Sequence, residues 1–122
     1  MKDNLVREKS YAFALAVIKL YQALTARKEF VLSKQLLRSA TSIGANIEEA
    51  SAGQSRADFL SKMSIASKEA RESNYWLRLL RDSEIASDEE IQPLLSESES
   101  LIRILTSIVK TTIENSNPKS KT

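Results

Sequence analysis

Apolar side chains recur along the chain at the three- and four-residue spacing of amphipathic helices, in four segments separated by short breaks. The segments cover approximately residues 4–27, 34–52, 56–82 and 88–115. The sequence contains only two glycines and two prolines, whereas an all-β domain needs many tight turns. We therefore predict an all-α fold, an antiparallel up-down-up-down four-helix bundle over residues 1–115 with a polar tail at 116–122.

Short polar signals mark the expected helix starts. Ser33 is the predicted N-cap of the second helix. Ser55, followed by Asp58, begins the third, and Ser87 forms a capping box with Glu90 at the start of the fourth. These signals predict short connections between long helices.

The predicted helices carry more apolar surface than one small bundle can bury. Residues 11–24 (YAFALAVIKLYQAL) are apolar nearly all round the helix but too short to span a bilayer. Residues 39–53 are rich in small side chains, which let neighbouring backbones approach closely. The third helix has a second, partly apolar face formed by Ile65, Glu69, Trp76 and Leu79. We therefore expect the protein to form a homo-oligomer.

Two missing residue types narrow the possible chemistry. The sequence has no cysteine and no histidine, so disulfides, thiolate sites, histidine acid–base catalysis and most zinc sites lose their usual residues. The first ten residues lack the apolar core of a signal peptide, and no apolar run is long enough for a membrane span. We expect a cytoplasmic, non-enzymatic protein with no cofactor and no membrane partner.

The net charge is only +2, but the charges are unevenly distributed. The first and third segments are basic and the fourth is acidic. One interpretation is a phosphate-binding surface for RNA or DNA, with contacts from Lys34, Arg38, Lys68, Arg71, Arg78 and Arg81. The alternative is a solvated helix flank with ordinary salt bridges, because Glu69, Glu72 and Asp82 lie close in sequence to these cations.

Carboxylates allow another alternative, a metal-dependent enzyme. A di-metal bundle site would draw on the glutamates of the second and third helices, which are Glu48, Glu49, Glu69 and Glu72. Without histidine only an all-oxygen site of the Mg²⁺ type is left. We expect no metal ion, and we expect Glu69 and Glu72 to form salt bridges or interface contacts. Trp76 could stack on a base, but its helical spacing is more typical of buried packing.

Residues 35–50 (QLLRSATSIGANIEEA) resemble the signature of the bacterial four-helix-bundle proteins called 23S rRNA intervening-sequence proteins, or the S23 ribosomal-protein family. The matching positions are Gln35, Leu36, Arg38, Ser42, Ile43, Asn46, Ile47, Glu49 and Ala50. Residues 59–80 also resemble a helix of that family, at Phe59, Leu60, Ala66, Glu69 and Glu72. The likeness covers about residues 5–115.

The resemblance implies a homopentameric ring of antiparallel four-helix bundles. It also implies similarity to the accessory proteins of diversity-generating retroelements, which bind nucleic acid and a reverse transcriptase. Nucleic-acid binding is therefore the leading expectation, and a protein–protein interaction scaffold without nucleic acid is the alternative. Polar residues of the matched motif and of the third helix are expected to be structural or to lie at the oligomer interface, namely Asn46, Glu49, Glu69, Glu72 and Trp76.

Overall fold

A computed structural model describes residues 2–53 and 55–116 of the chain. They form four helices, α1 (Lys2–Ala26), α2 (Leu32–Ser51), α3 (Arg56–Asp82) and α4 (Asp88–Ser116), and no strand occurs in these two ranges. The prediction of an all-α protein is confirmed. Helix α4 continues through Ser116, the first residue of the predicted tail, and the rest of that tail lies outside the described residues.

Each helix packs against two neighbours, in the cyclic order α1, α2, α3, α4. Within the described ranges, no close backbone contact joins the diagonal pairs α1 and α3 or α2 and α4. Cross-helix ion pairs show the directions of the helices. Along α2 the partner moves back along α3, since Arg38 pairs with Glu72 whereas Glu49 pairs with Lys62. Helices α2 and α3 are therefore antiparallel, as neighbouring helices of an up-down-up-down bundle are.

The core is a column of apolar side chains contributed by all four helices. The face of α2 that shows helical spacing in the sequence is buried, at Leu36, Ala40, Ile43, Ile47 and Ala50. Serines allow the helices to approach closely at intervals along this column. The hydroxyls of Ser39 and Ser73 lie 2.9 Å apart across the α2–α3 contact, where one donates to the other, and each is also within hydrogen-bond distance of a carbonyl of its own helix. Each of these two buried hydroxyls therefore has hydrogen-bond partners, as burial requires.

Two of the three predicted helix starts are confirmed. The hydroxyl of Ser55 accepts the N–H of Asp58 at 3.0 Å. At α4 the capping box is reciprocal, because Ser87 N–H donates to Glu90 at 3.0 Å and Glu90 N–H donates to the Ser87 hydroxyl at 3.2 Å.

The predicted Ser33 N-cap is wrong. Helix α2 begins at Leu32, and the carboxylate of Glu29 caps it by accepting the N–H groups of Val31, Leu32 and Ser33 at 3.1, 3.1 and 2.7 Å. A carboxylate satisfies three orphan donors where a hydroxyl would satisfy one or two. Ser33 instead lies buried in the first turn, where its hydroxyl donates to the Glu29 carbonyl at 2.8 Å.

Helix α1 has the apolar surplus that its sequence predicts. Leu5, Tyr11 and Leu15 on its outer side are 49%, 65% and 49% exposed, whereas Phe13 and Val17 on its inner side are buried. Despite this apolar content, no helix among residues 2–53 and 55–116 is both long and apolar enough to cross a membrane.

Candidate nucleic-acid interface

Arg38 is held between two carboxylates at the contact of α2 with α3. Its guanidinium lies 3.5 Å from Glu69 Oε1 and also contacts Glu72. The indole N–H of Trp76 donates to the same Glu72 carboxylate at 3.2 Å. Because both acids share one guanidinium, this cluster is an internal ion-pair network rather than a free cation.

This network affects which cations of α3 have an acidic partner. In the alternative of a salt-bridged flank, Glu69 and Glu72 neutralise cations along their own helix, whereas in the structure both carboxylates form the expected salt bridges with Arg38 of α2. Among residues 2–53 and 55–116, none of the ion pairs joins Lys68, Arg71 or Arg78 to a carboxylate, although the charge of Arg78 helps to lower the pKa of Asp82, one turn away. The alternative of a salt-bridged flank therefore keeps an acidic neighbour for Arg78, whereas Lys68 and Arg71 form no ion pair within those ranges.

Arg81 is the exception on α3. Its guanidinium Nε donates to Asp82 Oδ1 at 2.8 Å. That hydrogen bond holds the pKa of Asp82 below its ordinary range and raises the pKa of Arg81. The expected salt bridge between Arg81 and Asp82 is thus present, and it removes Arg81 from the unneutralised set.

Four residues of α3 form what we call the basic strip, Lys68, Arg71, Tyr75 and Arg78. All four are exposed, and their spacing of three, four and three residues aligns them along one side of the helix. From Lys68 to Arg78 the strip extends about 15 Å along the axis at 1.5 Å per residue. Arg71 reaches towards α4, where Nη2 donates to Thr106 Oγ1 at 2.9 Å, so the strip borders the α3–α4 contact.

A chain of hydrogen bonds holds Arg78 in position. Its Nε donates to Asn74 Oδ1 at 2.9 Å, and Asn74 Nδ2 donates to the Ser98 hydroxyl at 2.9 Å. Ser98 is fully buried. In the part of the chain that the structure describes, neither terminal guanidinium nitrogen of Arg78 has a partner. Those two nitrogens are the pair that binds phosphate oxygens in bidentate fashion.

The six predicted phosphate contacts are divided between two helices. Lys34 is exposed in the first turns of α2, on the same helix as Arg38, which is paired with two acids. The other four are on α3, where Arg71 contacts α4 through Thr106.

Sequence reasoning does not identify one residue of the strip and one residue beside it. The first is Tyr75, 47% exposed between Arg71 and Arg78, whose alignment with them is visible in the spacing. The second is Lys110, which lines a groove of about 350 Å³ between α3 and α4 together with Arg71, Thr106 and the acidic Glu114. Finding Lys110 would have required the register between the two helices, which the sequence does not contain.

The other predicted polar residues make contacts within one copy of the chain. Asn46 donates to the Ser42 carbonyl at 2.8 Å, and Glu49 pairs with Lys62 at 3.1 Å. Glu48, a candidate metal ligand, pairs with Arg7 at 3.1 Å. Residues 2–53 and 55–116 contain no group of three acids able to hold a metal ion.

The matches to known proteins agree with the expected family. The sequence profile of the 23S rRNA-intervening sequence proteins matches residues 2–107. The chain is also similar to a protein with unknown function from the S23 ribosomal protein family of Bacteroides thetaiotaomicron, known from a crystal structure. The two are 50% identical with a TM-score of 0.87, over 90% of this chain and 99% of that one. None of the curated proteins compared with the chain matches it. The chain belongs to the family of 23S rRNA-intervening sequence proteins.

Proposed function

We propose that this protein is a non-enzymatic, cytoplasmic accessory protein that binds RNA or DNA through the basic strip. The observation that carries the proposal is the set of three exposed α3 cations, Lys68, Arg71 and Arg78, none of which forms an ion pair with a carboxylate among the described residues. Glu69 and Glu72 pair with Arg38 instead, and only Asp82 lies near enough to Arg78 to interact with its charge. The absence of histidine and cysteine from the sequence supports a role without catalysis.

The number of cations sets the expected strength of binding. Three phosphate contacts predict a slope of log K against log [salt] of about −2 for a single strand and about −3 for a duplex. One copy would therefore bind weakly at physiological salt, and several copies in one assembly would bind more tightly through multivalency.

Fluorescence anisotropy with a labelled RNA oligonucleotide at two salt concentrations tests this function. The test variant is the double change Arg71→Gln and Arg78→Gln, which should weaken binding and reduce the salt slope by about 1.4 to 1.8. The matched control is Lys9→Gln with Lys62→Gln, which removes the same net charge from two lysines already paired with carboxylates.

Two results would overturn the proposed function. One is the absence of any binding by the unaltered protein at low salt. The other is equal weakening by the two double variants, because binding would then follow net charge rather than the basic strip.

We further propose that copies of the chain assemble through the outer side of α1, as the homopentamer that the family resemblance implies. The support is the exposed apolar set of Leu5, Tyr11 and Leu15, the last two of which line a groove of about 620 Å³ with Arg7 and Glu48 at its edge. Exposed apolar patches of this kind mark protein interfaces.

Light scattering after size exclusion tests the assembly. We expect a mass five times that of the 13.7 kDa chain. Leu15→Glu should lower the mass, whereas Ser96→Glu, an equivalent charge added at an exposed position of α4, should not. A monomeric mass for the unaltered protein at micromolar concentration would rule out this proposal.

A protein–protein interaction scaffold is the second candidate function. Phe30 and Val31, in the α1–α2 connection, are 59% and 71% exposed, and the bonds from Glu29 to the start of α2 fix the backbone beside them. A rigid exposed aromatic side chain is suited to binding a protein client, and by family resemblance that client could be a reverse transcriptase. Capture of one protein without nucleic acid, lost in the double variant Phe30→Ser and Val31→Ser, would favour this alternative.

A further inference from the structure

Tyr75 differs from the other exposed apolar side chains because it lies between the cations of the basic strip. The residue is 47% exposed. The Arg78 guanidinium carbon lies over the ring, 5.8 Å from its centroid. Trp76 follows Tyr75 directly in the chain, and its ring centroid lies 5.1 Å from that of Tyr75 at an interplanar angle of 66°. The phenol ring of Tyr75 thus contacts the partly buried indole of Trp76 and lies beside the guanidinium of Arg78.

This pairing has the chemistry of a nucleotide site. An exposed aromatic ring next to a phosphate-binding arginine is how proteins hold unpaired bases, since every base has a face that can stack. The Nε of Arg78 is engaged by Asn74, and among residues 2–53 and 55–116 its two terminal nitrogens make no hydrogen bond, so they can bind a phosphate. The separation of 5.8 Å between guanidinium and ring is short enough for one nucleotide to reach both groups.

The shape of the surface discriminates between strands. The exposed ring of Tyr75 can stack only on a base whose face is free. In a duplex the base faces are stacked on one another, and only the edges are open to a protein. We infer that the basic strip binds single-stranded nucleic acid, with a base stacked on Tyr75 and the adjoining phosphate held by Arg78. This inference rests on the proposed function and specifies its ligand.

The experiment measures the affinity of the full-length protein for four labelled probes. They are a single-stranded RNA, the DNA of the same sequence, the corresponding RNA duplex, and an abasic strand of the same length. The unaltered protein should bind the two single strands more tightly than the duplex and the abasic strand. Comparison of RNA with DNA shows whether the 2′-hydroxyl contributes.

Three variants isolate the ring. Tyr75→Ala should weaken binding of the single strands by roughly ten-fold, within the range known for base–aromatic stacking. The same change should leave the abasic strand and the salt slope unaltered. Tyr75→Phe, which keeps the ring, should bind like the unaltered protein. Ile65→Ala, which trims another exposed apolar side chain of α3, should have no effect, and circular dichroism confirms that each variant is folded.

The results separate this inference from the function on which it rests. If Tyr75→Ala binds single strands as well as the unaltered protein, while Arg71→Gln with Arg78→Gln weakens binding, the stacking site is refuted and the phosphate-binding strip stands. If the duplex binds as tightly as the single strand, the stacking site is likewise refuted and the phosphate-binding strip stands. If no probe binds at low salt, the proposed function itself fails.

Discussion

Removal of Arg38 should destabilise the fold, because the structure makes this residue part of an internal network. The change Arg38→Met keeps an unbranched side chain and deletes the charge. Its partner Glu69 has a side chain only 14% exposed, and Glu72 is 33% exposed. Without the guanidinium, two neighbouring carboxylates lose their counter-charge, and one of them is poorly solvated.

The expected magnitude lies between two known limits. Exposed ion pairs contribute about 0.2–1 kcal/mol, whereas removing one partner from a buried pair costs about 3–5 kcal/mol. Arg38 itself is half exposed at 51%, so the case is intermediate. We expect the free energy of unfolding to fall by about 2 kcal/mol.

Urea unfolding measures this loss. Trp76 is the only tryptophan of the chain and lies within the network, so its fluorescence reports on the relevant region. All variants are compared at one protein concentration, because self-association would make stability concentration-dependent. With a denaturant slope of about 2 kcal/mol per molar urea, the midpoint should fall by about 1 M.

Lys62→Met is the matched control. It removes the cation of another α2–α3 ion pair, but the partners Lys62 and Glu49 are 35% and 60% exposed. The control should therefore lose about 0.5 kcal/mol. The reasoning is refuted if Arg38→Met shifts the urea midpoint no more than Lys62→Met does.

Three further changes test the caps and the core. Arg27 and the capping-box bond from Ser87 lower the pKa of Glu90 from 4.5 to about 2. Its carboxylate therefore stabilises the fold fully above about pH 4.5, and this contribution is lost as the pH falls towards 2. Glu90→Gln should cost about 1 kcal/mol in urea unfolding at pH 7, after allowance for solvent screening, and almost nothing near pH 2, and an equal cost at both pH values would contradict this assignment. Although partial burial opposes it, hydrogen bonding to backbone N–H groups of residues 31–33 holds the pKa of Glu29 below its ordinary range, so Glu29→Gln should lower the thermal midpoint by about 4 °C. Leu77 is fully buried, so Leu77→Ala should cost about 3–4 kcal/mol in urea, and a loss below 1 kcal/mol would place that side chain outside the core.

The sequence was sufficient for the helices wherever the signals are local. The bounds predicted for the third helix, 56–82, are those observed. The caps of α3 and α4 could be predicted because Ser55 and Ser87 each lie within three residues of the groups that they cap. The start of α2 was misassigned because its cap, Glu29, reaches forward from the connection. A nearby serine at a favourable position, Ser33, then gave a competing signal.

The pairing of charges could not be obtained from the sequence. Glu72 lies four residues from Lys68 on the same helix, which is a favourable spacing for an ion pair. Its actual partner, Arg38, is thirty-four residues away on α2. The choice between them depends on the register of α2 against α3, which is determined by core packing. This register therefore decides whether the exposed side of α3 is a neutral flank or a basic strip.

The most direct test of the central claim is covalent footprinting of lysines and arginines, read by mass spectrometry, with and without a single-stranded oligonucleotide. Lys68, Arg71 and Arg78 should be protected by the bound strand, and Lys34 on α2 should be modified at an unchanged rate. Protection of Lys34 with no protection along the basic strip would contradict the account.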